Sequence, residues 1–396
     1  MITIYSKTGS SHGYFINQIW KNLSEAKLEE GSIYMYDEHD YVVRGLHIED
    51  CLDEVHWNHL RTDPTTKFML FYADEYFNYH DLDMYFKCFI EKEIPSDRIW
   101  MVVPDKNFED WTRARFNEVG LVDVHITNLP VLMARCREQE KIPMTTRFSM
   151  LCRNYHIWRT EFFMTLMKKE ILSKIDYTFH NCIPYGEVEI IPKSRIIGDI
   201  EGLGFVVDDE VLTWLEGVPY SLPDTLVTTK FSDVGYNFIA RSGINITIES
   251  QIDPFYFFKS WKHMDRDIFA VAAFATEKTY KAIACSKPFI MVGSPFFLRD
   301  LRKLGFKTFH PFINEYYDEM TDRKQKYFAI ADEIIRLNAM NDQEFEALIR
   351  SMDPIVEHNL QLFKTYQDTM KLPDEFKWMS DYHAPFYMSH VNGVLG

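Results

Sequence analysis

"TEKTYKAIACSKPFIMVGSPFFLRDLRKLGFKTF", residues 276 to 309, holds the pattern that decides the fold. Thr276 stands where a helix N-cap belongs, Tyr280, Ile283 and Ala284 fall on one helical face, and Pro288 ends the helix near Lys287. "PFIMVG" then reads as a buried strand. Gly293, Ser294 and Pro295 turn the chain into a second helix with Phe297, Leu301 and Leu304 inward, and "GFKTF" starts a further strand. Helix, apolar strand, glycine turn and helix make the repeating unit of a parallel α/β sheet. The same stretch carries seven Lys or Arg and two acids, a net +5, in a chain of formal net charge −16. Charge alone reads as a solvated face. Lys278 is different, because a cation in the first turn of a helix opposes the helix dipole unless an anion lies beside it. Strand ends and helix N-termini of open α/β sheets are where such anions bind.

The pattern extends in both directions. "ITIYS" (2 to 6), "SIYMYD" (32 to 37), "KFMLFYAD" (67 to 74), "RIWMVVPD" (98 to 105) and "VDVHITNL" (122 to 129) read as buried parallel strands. Amphipathic segments such as "GYFINQIWKNL" and "HDLDMYFKCFIEKEI" lie between them and read as helices. This series forms a first domain over residues 1 to 140. After the link "EQEKIPMTTRF", "RFSMLCRNYHIWRTEFFMTLMKKEIL" gives a short strand, a polar turn and a helix that open a second domain over 141 to 370. Residues 175 to 235 read as loops and short helices, and "FIARSGINITIES" (238 to 250) restores the βα pattern. Tyr327, Ile330, Ile334 and Leu337 mark one more helix, and Asn341 with Glu344 forms a capping box for the next. The aromatic tail, 371 to 396, is expected to pack back on the body.

At 396 residues, with 46% hydrophobic and 15% aromatic content, the chain can bury two cores and has no disordered composition. No signal peptide or apolar run of membrane-spanning length is evident, so a cytoplasmic protein is expected, in the host cytoplasm if the source is viral. Six cysteines without CxxC spacing fit reduced thiols. The acidic total disfavours a broad nucleic-acid-coating surface, although segment 133 to 169 carries eight basic residues and three acids.

"ATEKTYKAIACSKPFIMVGSP" (275 to 295) resembles the hallmark of the fucosyltransferase-like glycosyltransferases, in which Thr-Glu-Lys opens a helix and a strand ending in Gly follows. "LRKLGFKTFHPFINEYYDE" resembles a bacterial and tailed-phage offshoot, "INITIES" stands at the family's strand ending in Glu, and "CRNYHIWRTEFFMTL" is similar to its basic opening segment. The likeness spans about residues 148 to 320. It implies a GT-B architecture, α/β with two Rossmann-like domains facing across a cleft, the second holding a nucleotide diphosphate sugar. By this resemblance Lys278 and Arg159 neutralise the diphosphate, with Arg153 a further phosphate candidate. Glu277 and Glu249 bind ribose or sugar hydroxyls, and Thr276 and Tyr280 complete the donor-binding set. Ser250 follows Glu249 where the family has Asn, and the segment before Thr276 is longer than usual, so fucose is not carried over.

Sugar transfer to a hydroxyl needs a base on the acceptor side and cations beside the departing diphosphate. Asp37, Asp74, Glu75 and Asp105 follow first-domain strands; Asp74 is the preferred base and Glu75 the second, by the family's placement of its acid, while helix capping is the plain alternative for each. The turn "KTGSSHG" (7 to 13) offers Ser10, Ser11 and His12 to an acceptor. Asp81 and Asp83 form a DxD, a metal-binding pattern elsewhere, yet here they suit a helix's first turn. The expected protein is an inverting, metal-independent transferase with no cofactor beyond its donor substrate, acting on a glycan hydroxyl or a hydroxymethylated base of phage DNA. A silent nucleotide-sugar or carbohydrate-binding protein is the alternative. It would keep Arg159 and Lys278 without needing a first-domain acid.

Overall fold

In a computed structural model the described residues are 4–6, 20–22, 28–37, 47–71, 79–103, 106–128, 136, 138–152, 155–183, 189–220, 233–249 and 275–369. The chain divides into two compact units, Met1–Val131 grouped with the chain from Tyr366 onward, and Leu132–Thr365.

The first unit carries β1 (Ile4–Ser6), β2 (Trp20–Asn22), β3 (Ile33–Asp37), α1 (Glu54–Thr62), β4 (Lys67–Phe71), α2 (Tyr79–Glu91), β5 (Ile99–Val103), α3 (Lys106–Glu118) and β6 (His125–Asn128). All its strands pair in parallel, in the order β2-β1-β3-β4-β5-β6. The five strands read from the sequence are all present. Trp20–Asn22 is a correction, since the helix expected through "GYFINQIWKNL" gives way there to an edge strand whose Trp20 stands opposite Ile4. Over so few residues an apolar period does not separate helix from strand. The core is aromatic: Trp57 stacks on Phe68 at 5.5 Å between ring centroids, and Phe68 meets the edge of Phe89 at 5.4 Å.

The second unit begins with β7 (Thr146–Met150), α4 (Ile157–Lys168), β8 (Asp176–Tyr177), β9 (Cys182–Ile183), β10 (Glu189–Ile190), α5 (Lys193–Gly202), α6 (Asp209–Glu216), α7 (Asp233–Ala240) and β11 (Ser242–Ile248). It continues with α8 (Glu277–Ala284), β12 (Phe289–Val292), α9 (Phe297–Lys303), α10 (Arg323–Asn338) and α11 (Asp342–Thr369). Its main sheet, ordered β12-β11-β7-β8, is parallel throughout. Every residue of β11 is buried, as a strand covered on both faces requires. Its polar members are paired: Asn245 Nδ2 donates to Ser149 Oγ at 3.0 Å, Ser149 Oγ to Ser242 Oγ at 2.9 Å, and Thr247 Oγ1 to Asn245 Oδ1 at 2.7 Å.

The opening stretch folds as its sequence dictates up to α9, with Phe297, Leu301 and Leu304 buried. "GFKTF" is the exception. Its amides turn to side chains instead of a strand, with Lys307 N donating to Asn359 Oδ1 at 2.7 Å and Phe309 N to Glu315 Oε1 at 2.6 Å. Tyr327, Ile330, Ile334 and Leu337 are wholly buried on α10, and Asn341 and Glu344 bond reciprocally at 3.0 Å. The five cysteines whose side chains are described, Cys51, Cys88, Cys136, Cys152 and Cys285, are buried and outside any disulfide. No helix among the described residues is long and apolar enough to cross a membrane. The expected packing of residues 371–396 lies outside the described residues.

Candidate functional site

In the second sheet the chain leaves β7 toward β8 on one side and returns through β11 on the other. The carboxyl ends of β7 and β11 therefore flank the topological switch point, where open α/β sheets leave a crevice for ligands. Thr276 of the Thr-Glu-Lys triplet is bonded to Glu249 at the end of β11, and α4 starts a short turn after β7.

Glu249 ends the β11 segment and is fully buried. Its carboxylate accepts the Thr276 amide at 3.1 Å, the Thr276 hydroxyl at 2.5 Å and the Thr279 hydroxyl. Thr276 in turn caps α8, accepting from Lys278 N at 3.3 Å and from Lys278 Nζ at 3.1 Å. Lys278 Nζ also pairs with Glu277 Oε1 at 3.2 Å, and its side chain keeps 23% of its surface exposed. The triplet thus presents an ammonium group at the mouth of a helix fixed by a buried carboxylate.

These contacts place three residues of the expected donor set inside the packed unit. Glu249 and Thr276 have no exposed surface, and Tyr280 is packed between Phe306 and Phe363, each with its ring centroid 6.4 Å away. Lys278 is partly exposed, while Glu277 beside it is buried.

Arg159, one turn into α4, is buried, and its guanidinium hydrogen-bonds the Cys152 thiol. Burial raises the Cys152 pKa, while Arg159 and Lys278 act in the opposite direction. His156, the N-cap residue of α4, stacks on Trp158 with ring centroids 4.5 Å apart and planes 12° from parallel. Burial, and after it the positive charges of Arg159 and Lys278, push its imidazole down to about 2. Both cations thus act on one ring at the switch point, although they stand about 120 residues apart in sequence.

The N-terminus of α9, another anion-ready place, is already served by the protein. Asp318 accepts from Leu298 N at 2.9 Å and Arg299 N at 3.0 Å. Burial raises the Asp318 carboxyl despite the nearby Lys326, Leu298 and Arg299 groups. Lys326 is itself buried, pushed down to about 8, and donates to Ser294 O at 2.9 Å. Arg302 and Lys303, read as plain surface, are half exposed but pair with Glu315 and Asp300, and Lys287 is partly buried, which lowers its pKa.

Asp74, Glu75, Arg153, Ser10, Ser11, His12 and Asp105 lie outside the described residues, as does the side chain of Asp37. Asp83 sits in the first turns of α2 and pairs with Arg115 at 3.2 Å. Among the described residues no group of three His, Cys, Asp or Glu side chains forms a metal cluster.

No protein-family model matches the sequence, and no curated protein matches it. Solved structures do. A DNA-modifying β-glucosyltransferase, solved with and without uridine diphosphoglucose, matches at 9% identity and a TM-score of 0.38, over 93% of this chain and 89% of its own. A UDP-forming α,α-trehalose-phosphate synthase from Burkholderia vietnamiensis matches at 9% identity and 0.46, over 92% and 74%. T4 phage BGT, in complex with its UDP-glucose substrate, matches at 10% identity and 0.36, over 93% and 89%. TM-scores below 0.5 at such identity leave the functional assignment to the chain's own residues.

Sequence reasoning reached Arg159 and Lys278 but passed over His156 and Asp318. His156 lies inside the quoted "CRNYHIWR" and carries a spacing signal, an imidazole two residues before an indole and three before the arginine. Asp318 carries none, because its contact with α9 joins segments twenty residues apart through a loop.

Proposed function

We propose that the protein is a nucleotide-sugar glycosyltransferase of the GT-B class whose second unit holds the donor. One observation carries this reading: Arg159 stands in the first turn of α4, which follows β7, and Lys278 in the first turn of α8, whose cap Thr276 is held by Glu249 at the end of β11, so the two flank the switch point. A guanidinium and an ammonium at a switch point suit a diphosphate leaving group, whose developing charge they neutralise as the bond to the sugar breaks. Glu277, beside Lys278, is assigned to a ribose or sugar hydroxyl, and Arg153 to a further phosphate contact.

The acceptor hydroxyl attacks the anomeric carbon in a single displacement with inversion. Asp74 takes its proton, with Glu75 as second choice, and Ser10, Ser11 and His12 bind the acceptor. No metal is required, since the two cations fill the charge-neutralising role. A glycan hydroxyl is the preferred acceptor over a hydroxymethylated DNA base. Two basic residues of segment 133–169 are engaged internally: Arg147 bonds Asn338 O, Met340 O and Asp342, and Lys169 pairs with Asp332 at 2.6 Å.

A thermal-shift screen with UDP, GDP, dTDP and CMP sugars tests the reading. One donor raises the melting temperature in proportion to its concentration over its affinity, and Lys278→Met removes that shift. A screen in which no donor stabilises the protein overturns it.

A further inference from the structure

We propose that residues 136–139 and the end of α11 position Lys278 by gripping α8 along its length, with the Glu138–Lys364 ion pair closing the grip. The inference rests on the nucleotide-sugar reading of Lys278.

Four contacts, all within the second unit, build the grip. At the start of α8 the Cys136 thiol donates to Glu277 O at 3.6 Å, on the residue next to Lys278. At the other end Gln139 N donates to Ala284 O at 3.0 Å, one of the last carbonyls for which a helix has no internal partner. The helix rises about 10.5 Å from Glu277 to Ala284, and the chain from Cys136 to Gln139 reaches about 10 Å when extended. The segment therefore runs along the helix. Phe363 of α11, fully buried, packs against Tyr280 of α8 with ring centroids 6.4 Å apart. Its neighbour Lys364 then reaches back, Nζ to Glu138 Oε2 at 2.7 Å, so the two segments that hold α8 are joined to one another. The chain enters the second unit at Leu132, just before this grip, and leaves it at Thr365, just after.

The grip acts on the residues that hold the ammonium. Lys278 Nζ is 3.1 Å from Thr276 Oγ1 and 3.2 Å from Glu277 Oε1. Glu249 fixes Thr276 from the end of β11, whereas the Cys136 thiol fixes the Glu277 carbonyl. A shift of Glu277 moves the partner of Lys278 and with it the charge offered to a diphosphate. The closing pair is 49% exposed at Glu138 and 38% at Lys364, so its loss leaves the fold standing and costs a few-fold in affinity.

Titration calorimetry with UDP-glucose, GDP-mannose and dTDP-glucose tests this through the sign of one effect. Glu138→Lys adds positive charge, which by its field alone would tighten diphosphate binding. Loss of the grip predicts the reverse, affinity weaker by about threefold, and the same for Lys364→Glu. The swap Glu138→Lys with Lys364→Glu should restore wild-type affinity, with melting temperatures alike in all four proteins. In the donor-free protein the Gln139 amide should exchange with solvent faster in each single variant and return to the wild-type rate in the swap. Donor binding in Glu138→Lys as tight as in the wild type or tighter, a swap that does not restore affinity, or unchanged Gln139 exchange in both single variants overturns the positioning role and leaves the transferase reading standing. Failure of every donor to bind the wild type overturns both.

Discussion

The Glu249 carboxylate holds Thr276 twice, accepting its amide at 3.1 Å and its hydroxyl at 2.5 Å, so the end of β11 fixes the first turn of α8. Thr279 adds a third donor to the same carboxylate. Glu249→Ala leaves these buried donors without an acceptor and should cost about 3 kcal/mol in urea denaturation, against about 1 kcal/mol for Thr279→Val. Equal, small losses for both would mean that Glu249 does not organise the helix.

Lys278 keeps its ammonium at the edge of this assembly while Glu249 stays inside it. Lys278→Met should therefore weaken donor binding by tenfold or more, about 1.4 kcal/mol, with little change in melting temperature. Calorimetric affinity and the thermal midpoint separate the two effects. A stability loss without a binding loss would make Lys278 a structural residue.

The parallel order and the helices around β12 were legible because local rules act over a few residues: Thr276 caps, Pro288 stops, and buried apolar runs pair. The capping box of Asn341 and Glu344 was legible for the same reason. What was not legible depends on contacts distant in sequence. "GFKTF" has strand composition, yet Asn359 and Glu315 take its amides, and no nearby residue announces that. The site divides in the same way. The family resemblance named Arg159 and Lys278, whereas the burial of Glu249, Thr276 and Tyr280 belongs to the packed unit.

Asn341 and Glu344 satisfy one another's backbone donors at the start of the long helix α11. Asn341→Ala should cost about 1 kcal/mol, seen as a lower denaturation midpoint with an unchanged denaturant slope. Glu344→Gln should cost less, since the amide oxygen still accepts. A null result for Asn341→Ala would show that tertiary packing alone starts the helix.

Lys326 is buried beside Asp318 and bonded to Ser294 O, so its removal strands a carboxylate in the interior. Lys326→Met should destabilise by about 3 kcal/mol near neutral pH, and Asp318→Asn in the same background should restore part of it. The native ammonium, pushed down to about 8, binds fewer protons than the unfolded one between that value and its ordinary 10.5. Its own contribution to stability therefore rises with pH across that window, and the variant lacks this rise. Parallel stability curves for wild type and Lys326→Met from about pH 8 to 10 would contradict it.

His156 gives the opposite limb of the pH profile, through a property of the donor-free protein. Its folded imidazole is held down to about 2 by burial, Arg159 and Lys278, against an ordinary 6.5. Between those values the unfolded chain binds a proton that the folded chain refuses, so stability falls as pH drops below about 6.5. The slope reaches at most about 1.4 kcal/mol per pH unit, and His156→Gln removes it. Urea midpoints at about pH 7 and about pH 5 should therefore fall more for the wild type than for the variant. Identical falls for wild type and variant without donor would show that the imidazole is not held neutral at the switch point.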